Sequence, residues 1–335
     1  MITTNLYLPS GYINMKDIIE LKYPFTFVTG ARRTGKTYGA LTYALDNKIR
    51  FIYLRRTQTE IDVCKSADLS PFKNINKNIL TRNLAKGVIG FVDTSNDDQL
   101  IAPGMALTTL HNVRGISGDD YSMIIYDEFI PEKIARPIKG EFDAWSNTYE
   151  TLNSNRELYG QEPMQFLCLA NSNAAANPIF MGLGLVQTLE KIKREHRSFW
   201  SDEKRGILIV NAENSPISQK KKKTALGKLT AGTDFAAMAY ENEYAFDDWS
   251  NIESRSLKEY RPDTTVGEIT IYRHKGRREY YVTQHQSGSP IVYGSNEREI
   301  EAFSRSANRF RNAYLDGVMW FENYLAKILF IQYTK

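Results

Sequence analysis

FTFVTGARRTGKT, residues 25–37, decides how this chain is read. A short apolar, β-branched run ends at Thr29. Gly30-Ala31-Arg32-Arg33-Thr34-Gly35-Lys36-Thr37 then satisfies G-x-x-x-x-G-K-S/T at every fixed position. The glycines let the backbone wrap a phosphate while successive N–H groups converge on its oxygens. A helix is predicted over about residues 36–46, and its N-terminal end adds a positive dipole. In such a loop the lysine reaches the terminal phosphates and the hydroxyl faces a divalent cation. Chance alone produces the pattern in roughly one chain in a hundred of this length. The strand before it and the helix after it are the context the motif requires.

Outward from this loop the pattern repeats. RFIYL (50–54) predicts a second strand, so residues 25–54 read as a βαβ unit with a right-handed crossover. Near-continuous apolar runs predict further strands at 87–92, 105–110, 123–126, 165–170 and 206–210, buried on both faces of a mostly parallel sheet. The expected fold class is α/β. MIIYDE (123–128) ends such a run in two acids. Asp127 is expected to hold Mg2+ together with Thr37, and Glu128 to orient and polarise an attacking water. No Asn-Lys-x-Asp guanine reader occurs, and a kinase, whose nucleophile is its substrate, has no use for Glu128. The pair favours ATP hydrolysis coupled to motion. All eight loop residues, Gly30 to Thr37, are therefore candidate ATP contacts. Asn171, at the end of QFLCLA, is expected beside the γ-phosphate, where an amide offers both a donor and an acceptor. A cation for the charge-spread transition state is sought among Arg32, Arg33, Arg55, Arg56 and Arg156. Arg156 is the candidate supplied by a neighbouring subunit, and Arg32 the candidate within the chain.

The 335 residues, 42% hydrophobic and 24% charged, suffice for two domains and exclude a disordered chain or a disulfide scaffold. Mean hydropathy of −0.44 and the lack of a long apolar run exclude a helical membrane protein. MITTNLYLPSGYINMKD lacks the basic-then-apolar pattern of a secretory signal, so none is expected. Two distant cysteines suggest a reducing compartment, and the four scattered histidines give no zinc spacing. The net charge is +4. Lysines and arginines concentrate in residues 191–228, which read either as a nucleic-acid contact or as a solvated linker. Expected domains are a P-loop ATPase domain (1–210), a basic linker or lid (211–250) and a small α+β domain (251–335). In the last, GEITIYRH (267–274) and residues 277–284 form a hairpin around Lys275-Gly276. Ile300, Phe303, Ala307, Phe310 and Tyr314 follow at helical spacing, with a second helix from about Met319. A short helix is also expected over 234–249.

Together FVTGARRTGKT, FIYLRR, IIYDEFIPEK, SNRELYG, CLANSNAAANP, KKTALGKLTAGTDF and FRNAYLDG resemble, in this order, the genome-packaging ATPases of small protein-primed tailed phages, the phi29-like group. The resemblance implies an additional-strand (ASCE) P-loop ATPase with a C-terminal domain shaped like an RNase H-type nuclease. It implies a homomeric, pentameric ring docked on the portal of a procapsid in the host cytoplasm, moving double-stranded DNA inward at the expense of ATP. It leaves open whether a structural RNA takes part in docking. No membrane partner is implied. Lys36, Thr37, Asp127, Glu128 and Asn171 match the family's site positions, and Arg156 the arginine-bearing segment. The expected first strand of the C-terminal domain, 267–274, holds no Asp, so nuclease activity is expected to be absent. Candidate DNA-gripping cations are Lys220 to Lys223, Lys228, Arg55, Arg56, Lys73 and Lys77. Competing readings are another DNA-dependent motor (a helicase or a cutting terminase) and a nucleotide-gated DNA-binding protein without turnover.

Overall fold

The structure, a computed structural model, describes residues 4–109, 118–131, 138–171, 174–236, 239–240, 248–285 and 288–335. The chain divides into two compact units, Met1–Gly182 with Ile192–Phe246, and Leu183–Lys191 with Asp247–Lys335.

The strands of the first unit are β1 Phe25–Gly30, β2 Phe51–Arg55, β3 Ile79–Ala85, β4 Val88–Asp93, β5 Gln99–Ala106, β6 Met123–Asp127, β7 Gln165–Asn171, β8 Phe199–Asp202 and β9 Ile207–Ala212. Among the described residues they form one sheet in the order β3-β4-β5-β2-β6-β7-β1-β9-β8. The six central strands, β5 to β9, are parallel, and antiparallel strands close both edges. The fold is thus α/β with a parallel-rich sheet. β7 lies between the P-loop strand β1 and the Asp127 strand β6, which is the additional-strand arrangement.

Alternation along each strand builds two cores. On one face Val28, Tyr53, Ile125, Leu169 and Val210 pack with Met15 and Ile18 of the helix Met15–Glu20 and with Leu41 and Ala44 of the helix Lys36–Asp46. On the other, Phe27 and Phe166 meet Phe129, Phe180 and Trp145, the last on the helix Glu141–Asn153. Trp145 stacks on Phe166 with centroids 5.0 Å apart. Such pairs add about 0.5–1.5 kcal/mol beyond their buried area.

Two edge features depart from expectation. The strand expected at 105–110 is Gln99–Ala106, and residues 110–117 lie outside the described residues. Pro103 obscured it, because proline donates no ladder hydrogen bond, yet it sits opposite Gly90 in the β4–β5 pairing. The edge strands β3 and β8 were not anticipated. Polar Arg82 and Asn83 break up the first, and the second has four residues.

The second unit holds a mixed sheet in the order β13-β10-β11-β12-β14, from β10 Tyr260–Val266, β11 Ile269–His274, β12 Tyr280–Thr283, β13 Ile291–Tyr293 and β14 Met319–Phe321. The expected hairpin around Lys275-Gly276 is β11–β12. It is not the domain's opening element, because β10 precedes it. Pro262 and Asp263 make that segment read as a loop, and the strand absorbs them through a register shift between Pro262 and Thr264. The apolar stripe 300–314 spans two helices, Glu297–Ser306 and Asn308–Leu315, broken at Ala307. The segment from Met319 opens as a strand parallel to β12, and the helix begins at Tyr324, where the Asn323 side chain caps the Ala326 N–H. Back in the first unit, residues 213–229 carry the helices Pro216–Lys222 and Ala225–Leu229. The helix expected over 234–249 lies largely outside the described residues, which retain Asp234–Ala236.

Candidate nucleotide site

The loop Gly30–Gly35 leaves the carboxyl end of β1, where ligands bind in open α/β sheets. Gly35 adopts φ +94° as N-cap of the helix Lys36–Asp46, and a Cβ there would stand 3.1 Å from Tyr12. Gly30 is held equally close, since its Cβ would stand 2.9 Å from that of Ala212. Thr34, fully buried, donates from its hydroxyl to the Ala31 carbonyl at 3.0 Å, and its own carbonyl accepts from Ile13 N–H at 3.0 Å. The N-terminal segment thus braces the loop from behind.

The Lys36 ammonium donates to the carbonyls of Gly30 (3.0 Å) and Ala31 (2.9 Å) and to Asn171 Oδ1 (3.3 Å). Register brings Asn171 there, because β7 pairs Asn171 with Gly30. Burial pushes the Lys36 pKa down to about 7, against the pull of Asp127 and Glu128 and with further lowering by the charges of Lys221 and Arg32. An anion entering this cleft meets a cation that lacks a full counter-charge.

On the acidic side, Thr37 donates to Asp127 Oδ1 at 2.7 Å, and Tyr53 to Asp127 Oδ2 at 2.9 Å. Burial and the neighbouring Asp127 raise the Tyr53 phenol well above its ordinary pKa, so it stays a neutral donor. Glu128 takes φ +56°, a left-handed conformation that strains a non-glycine residue by about 1–3 kcal/mol. Its half-exposed carboxylate faces the cleft and accepts from Arg55 at 2.6 Å. The loop residues Arg32 to Thr37 line this cleft with Tyr38, Asp127, Glu128, Ala170 and Asn171. Three strand ends therefore bring together Lys36, Thr37, Asp127, Glu128 and Asn171, as the motifs predict. The hard oxygens of Thr37 and Asp127, side by side, fit Mg2+, which takes one or two carboxylates with phosphate oxygens.

Several cations are elsewhere than expected. Strand alternation sends Arg55 and Arg56 to opposite faces of the sheet. Arg55 reaches Asp127, Glu128 and Glu60, at 3.3, 2.6 and 3.8 Å. Burial opposes its charge, but the Asp127, Glu128 and Glu60 carboxylates outweigh that and raise its pKa. Arg56 is buried in a two-pronged ion pair with Glu141, at 2.7 and 3.0 Å. Neither arginine is free to grip DNA. Lys221 donates to the carbonyls of Arg32 and Arg33, both at 2.8 Å, and so bonds the loop. Arg156 is absent from the cleft. Its guanidinium donates to the carbonyls of Gly118, Asp119 and Tyr121 of its own chain. Tyr53 and Tyr38 were missed as site residues and Lys221 as a loop contact, while Arg55, a candidate cation for the transition state, is paired with Asp127 and Glu128. For Tyr53 and Arg55 the signal was their shared parity two residues apart, unreadable until β2 is known to neighbour β6.

A family model described as podovirus DNA encapsidation protein (Gp16) matches residues 9–266. The DNA packaging protein of Bacillus phage PZA is 26% identical over 253 residues, covering 74% of this chain and 70% of its own. That of Bacillus phage B103 is 24% identical over 336 residues, covering 90% and 94%. Among solved structures, the bacteriophage phi29 viral genome packaging motor assembly superposes with a TM-score of 0.67 at 20% identity, covering 99% of this chain and all of its counterpart. The phi28 gp11 DNA packaging motor gives 0.63 at 21%, covering 96% and 97%. At these identities the structural likeness speaks for the fold.

Proposed function

The chain belongs to the podovirus DNA encapsidation protein (Gp16) family, and from that premise we propose that it is the ATP-hydrolysing subunit of a homomeric ring that drives double-stranded DNA through a portal into a procapsid in the host cell. The observation that carries the reading is the convergence of Lys36, Asp127 with Glu128, and Asn171 at the carboxyl ends of three adjacent parallel strands. A P-loop with a lone aspartate would serve a kinase equally well. The second acid, turned into the cleft by a strained backbone, is what hydrolysis requires.

The triphosphate of ATP rests on the loop N–H groups, with Lys36 exchanging the Gly30 and Ala31 carbonyls for phosphate oxygens. Thr37 and Asp127 would hold Mg2+, which supplies charge neutralisation at the β- and γ-phosphates. Glu128 accepts a proton from water as the water oxygen attacks the γ-phosphorus. The bond to the β–γ bridging oxygen breaks, and ADP and phosphate leave. Asn171, hydrogen-bonded to Lys36, is set to respond when that lysine changes partner.

We read the C-terminal domain as lacking nuclease activity, on grounds that differ from the sequence expectation. Its first strand does carry an acid, Asp263, but Arg309 and Thr264 bond that carboxylate. The test is packaging. With procapsids, linear duplex DNA, Mg2+ and ATP, the wild-type protein should render DNA resistant to added nuclease, and Lys36→Ala should not. DNA unwound, or cut without being protected, would instead favour a helicase or a cutting terminase.

A further inference from the structure

Lys221 has no part in the mechanism above, yet from the basic helix Pro216–Lys222 it donates two hydrogen bonds to the P-loop, 2.8 Å to each of the Arg32 and Arg33 carbonyls. The helix is itself seated against the N-terminal segment that braces the loop. Ser215 donates to the Gly11 carbonyl at 3.4 Å, Tyr7 donates to the Glu213 carbonyl, and a Cβ on Gly11 would stand 3.1 Å from Pro216. Lys221 is not among the residues that line the cleft.

A trans peptide is planar, with its C=O and N–H pointing opposite ways. Holding the Arg32 and Arg33 carbonyls on Lys221 therefore turns the N–H groups of Arg33 and Thr34 away from that lysine, as a loop that presents N–H groups to a phosphate needs. The arrangement also needs Arg33 at φ +57°, a region that residues with a Cβ disfavour. Something must hold it there, and two charge-assisted hydrogen bonds from one ammonium are suited to do so.

We propose that Lys221 is a positioning residue that holds the P-loop peptides in their phosphate-accepting orientation and thereby couples the helix Pro216–Lys222 to nucleotide occupancy. The inference rests on the nucleotide reading of the same cleft. It assigns the helix a task that needs a cation at one position, whereas the neighbouring Lys220 and Lys223 remain available for other contacts.

The test uses the full chain and two measurements, equilibrium titration with a fluorescent ATP analogue in excess Mg2+ and steady-state ATP hydrolysis. Lys221→Met should raise the dissociation constant about tenfold, equivalent to about 1.4 kcal/mol, while kcat at saturating ATP stays within about twofold. Lys221→Arg, which keeps a charged multiple donor, should recover most of the affinity. Any melting loss of nucleotide-free Lys221→Met, which strips two carbonyls of their donor, should be repaired by Lys221→Arg. Wild-type affinity in Lys221→Met overturns the proposal. So does a fall in kcat at unchanged affinity, or a melting loss that Lys221→Arg fails to repair, since either assigns Lys221 another role. Failure of the wild-type protein to bind the analogue, or undiminished binding by Lys36→Ala, overturns the nucleotide reading itself, and the proposal with it.

Discussion

Raising the pH from 6 to 8 should weaken MgATP binding about tenfold. In the empty site burial brings the Lys36 pKa down to about 7. Phosphate oxygens in place of the Gly30 and Ala31 carbonyls favour the ammonium strongly, so bound Lys36 stays charged across this range. Binding must therefore take up a proton wherever free Lys36 is neutral. At pH 6 about nine in ten molecules already carry it, and at pH 8 about one in eleven does. The apparent affinity falls as pH rises through 7, by about 1.4 kcal/mol over the two units. Calorimetric titration in two buffers of different ionisation enthalpy counts the protons directly. Uptake should be about 0.1 per site at pH 6 and about 0.9 at pH 8. The empty protein shows the reverse trend in stability. Its folded pKa lies below the unfolded value near 10.4, so the burial penalty on Lys36 is relieved as pH rises above 7. Affinity independent of pH between 6 and 8, or no proton uptake at pH 8, refutes the picture of a desolvated, under-neutralised lysine.

Three substitutions probe the rest of the scaffold. Arg56→Met leaves Glu141, with 1% of its side chain exposed, charged and unpaired. Urea unfolding should register a loss of about 3–5 kcal/mol, most of it restored by adding Glu141→Leu. Gly35→Ala forces a Cβ into a left-handed position 3.1 Å from Tyr12. A stability loss of about 1–2 kcal/mol with weakened nucleotide binding is expected, and an unchanged protein would mean the loop is shaped otherwise. Arg156→Ala removes its donor from three carbonyls, of which that of Gly118 keeps the Tyr121 N–H, and a loss of about 1–3 kcal/mol is expected by thermal melting. Mixing this variant with Lys36→Ala then asks whether Arg156 also serves a neighbouring subunit. Hydrolysis restored in mixed rings supports that role, and none at any ratio confines Arg156 to its own chain.

The centre of the site was legible because its signals are local. Gly30 to Thr37 are contiguous, Asp127 and Glu128 end one apolar run, and Asn171 ends the next. Backbone geometry converts these short patterns into positions at one edge of the sheet. What escaped notice depends on strand order. Arg55 and Arg56 look alike in sequence, and only the pairing of β2 with β6 sends one to the paired acids and the other to Glu141. Lys221 sits in a run of four lysines, and the run hides the member that bonds the loop. In the C-terminal domain, Pro262 and Asp263 imitate a loop because a bulged strand breaks the period-two alternation that marks strands. The break at Ala307 leaves the apolar period intact across two helices, so spacing alone could not reveal it.

The most direct test of the central claim is single-turnover phosphate release by Glu128→Gln, with binding of a fluorescent ATP analogue measured on the same preparation. Gln keeps the shape and the hydrogen bonding but cannot take the proton from water. The account predicts affinity within about threefold of wild type and phosphate release slowed by about a hundredfold or more. Release at the wild-type rate would contradict it, because the carboxylate set opposite Lys36 would then have no part in breaking the phosphate bond.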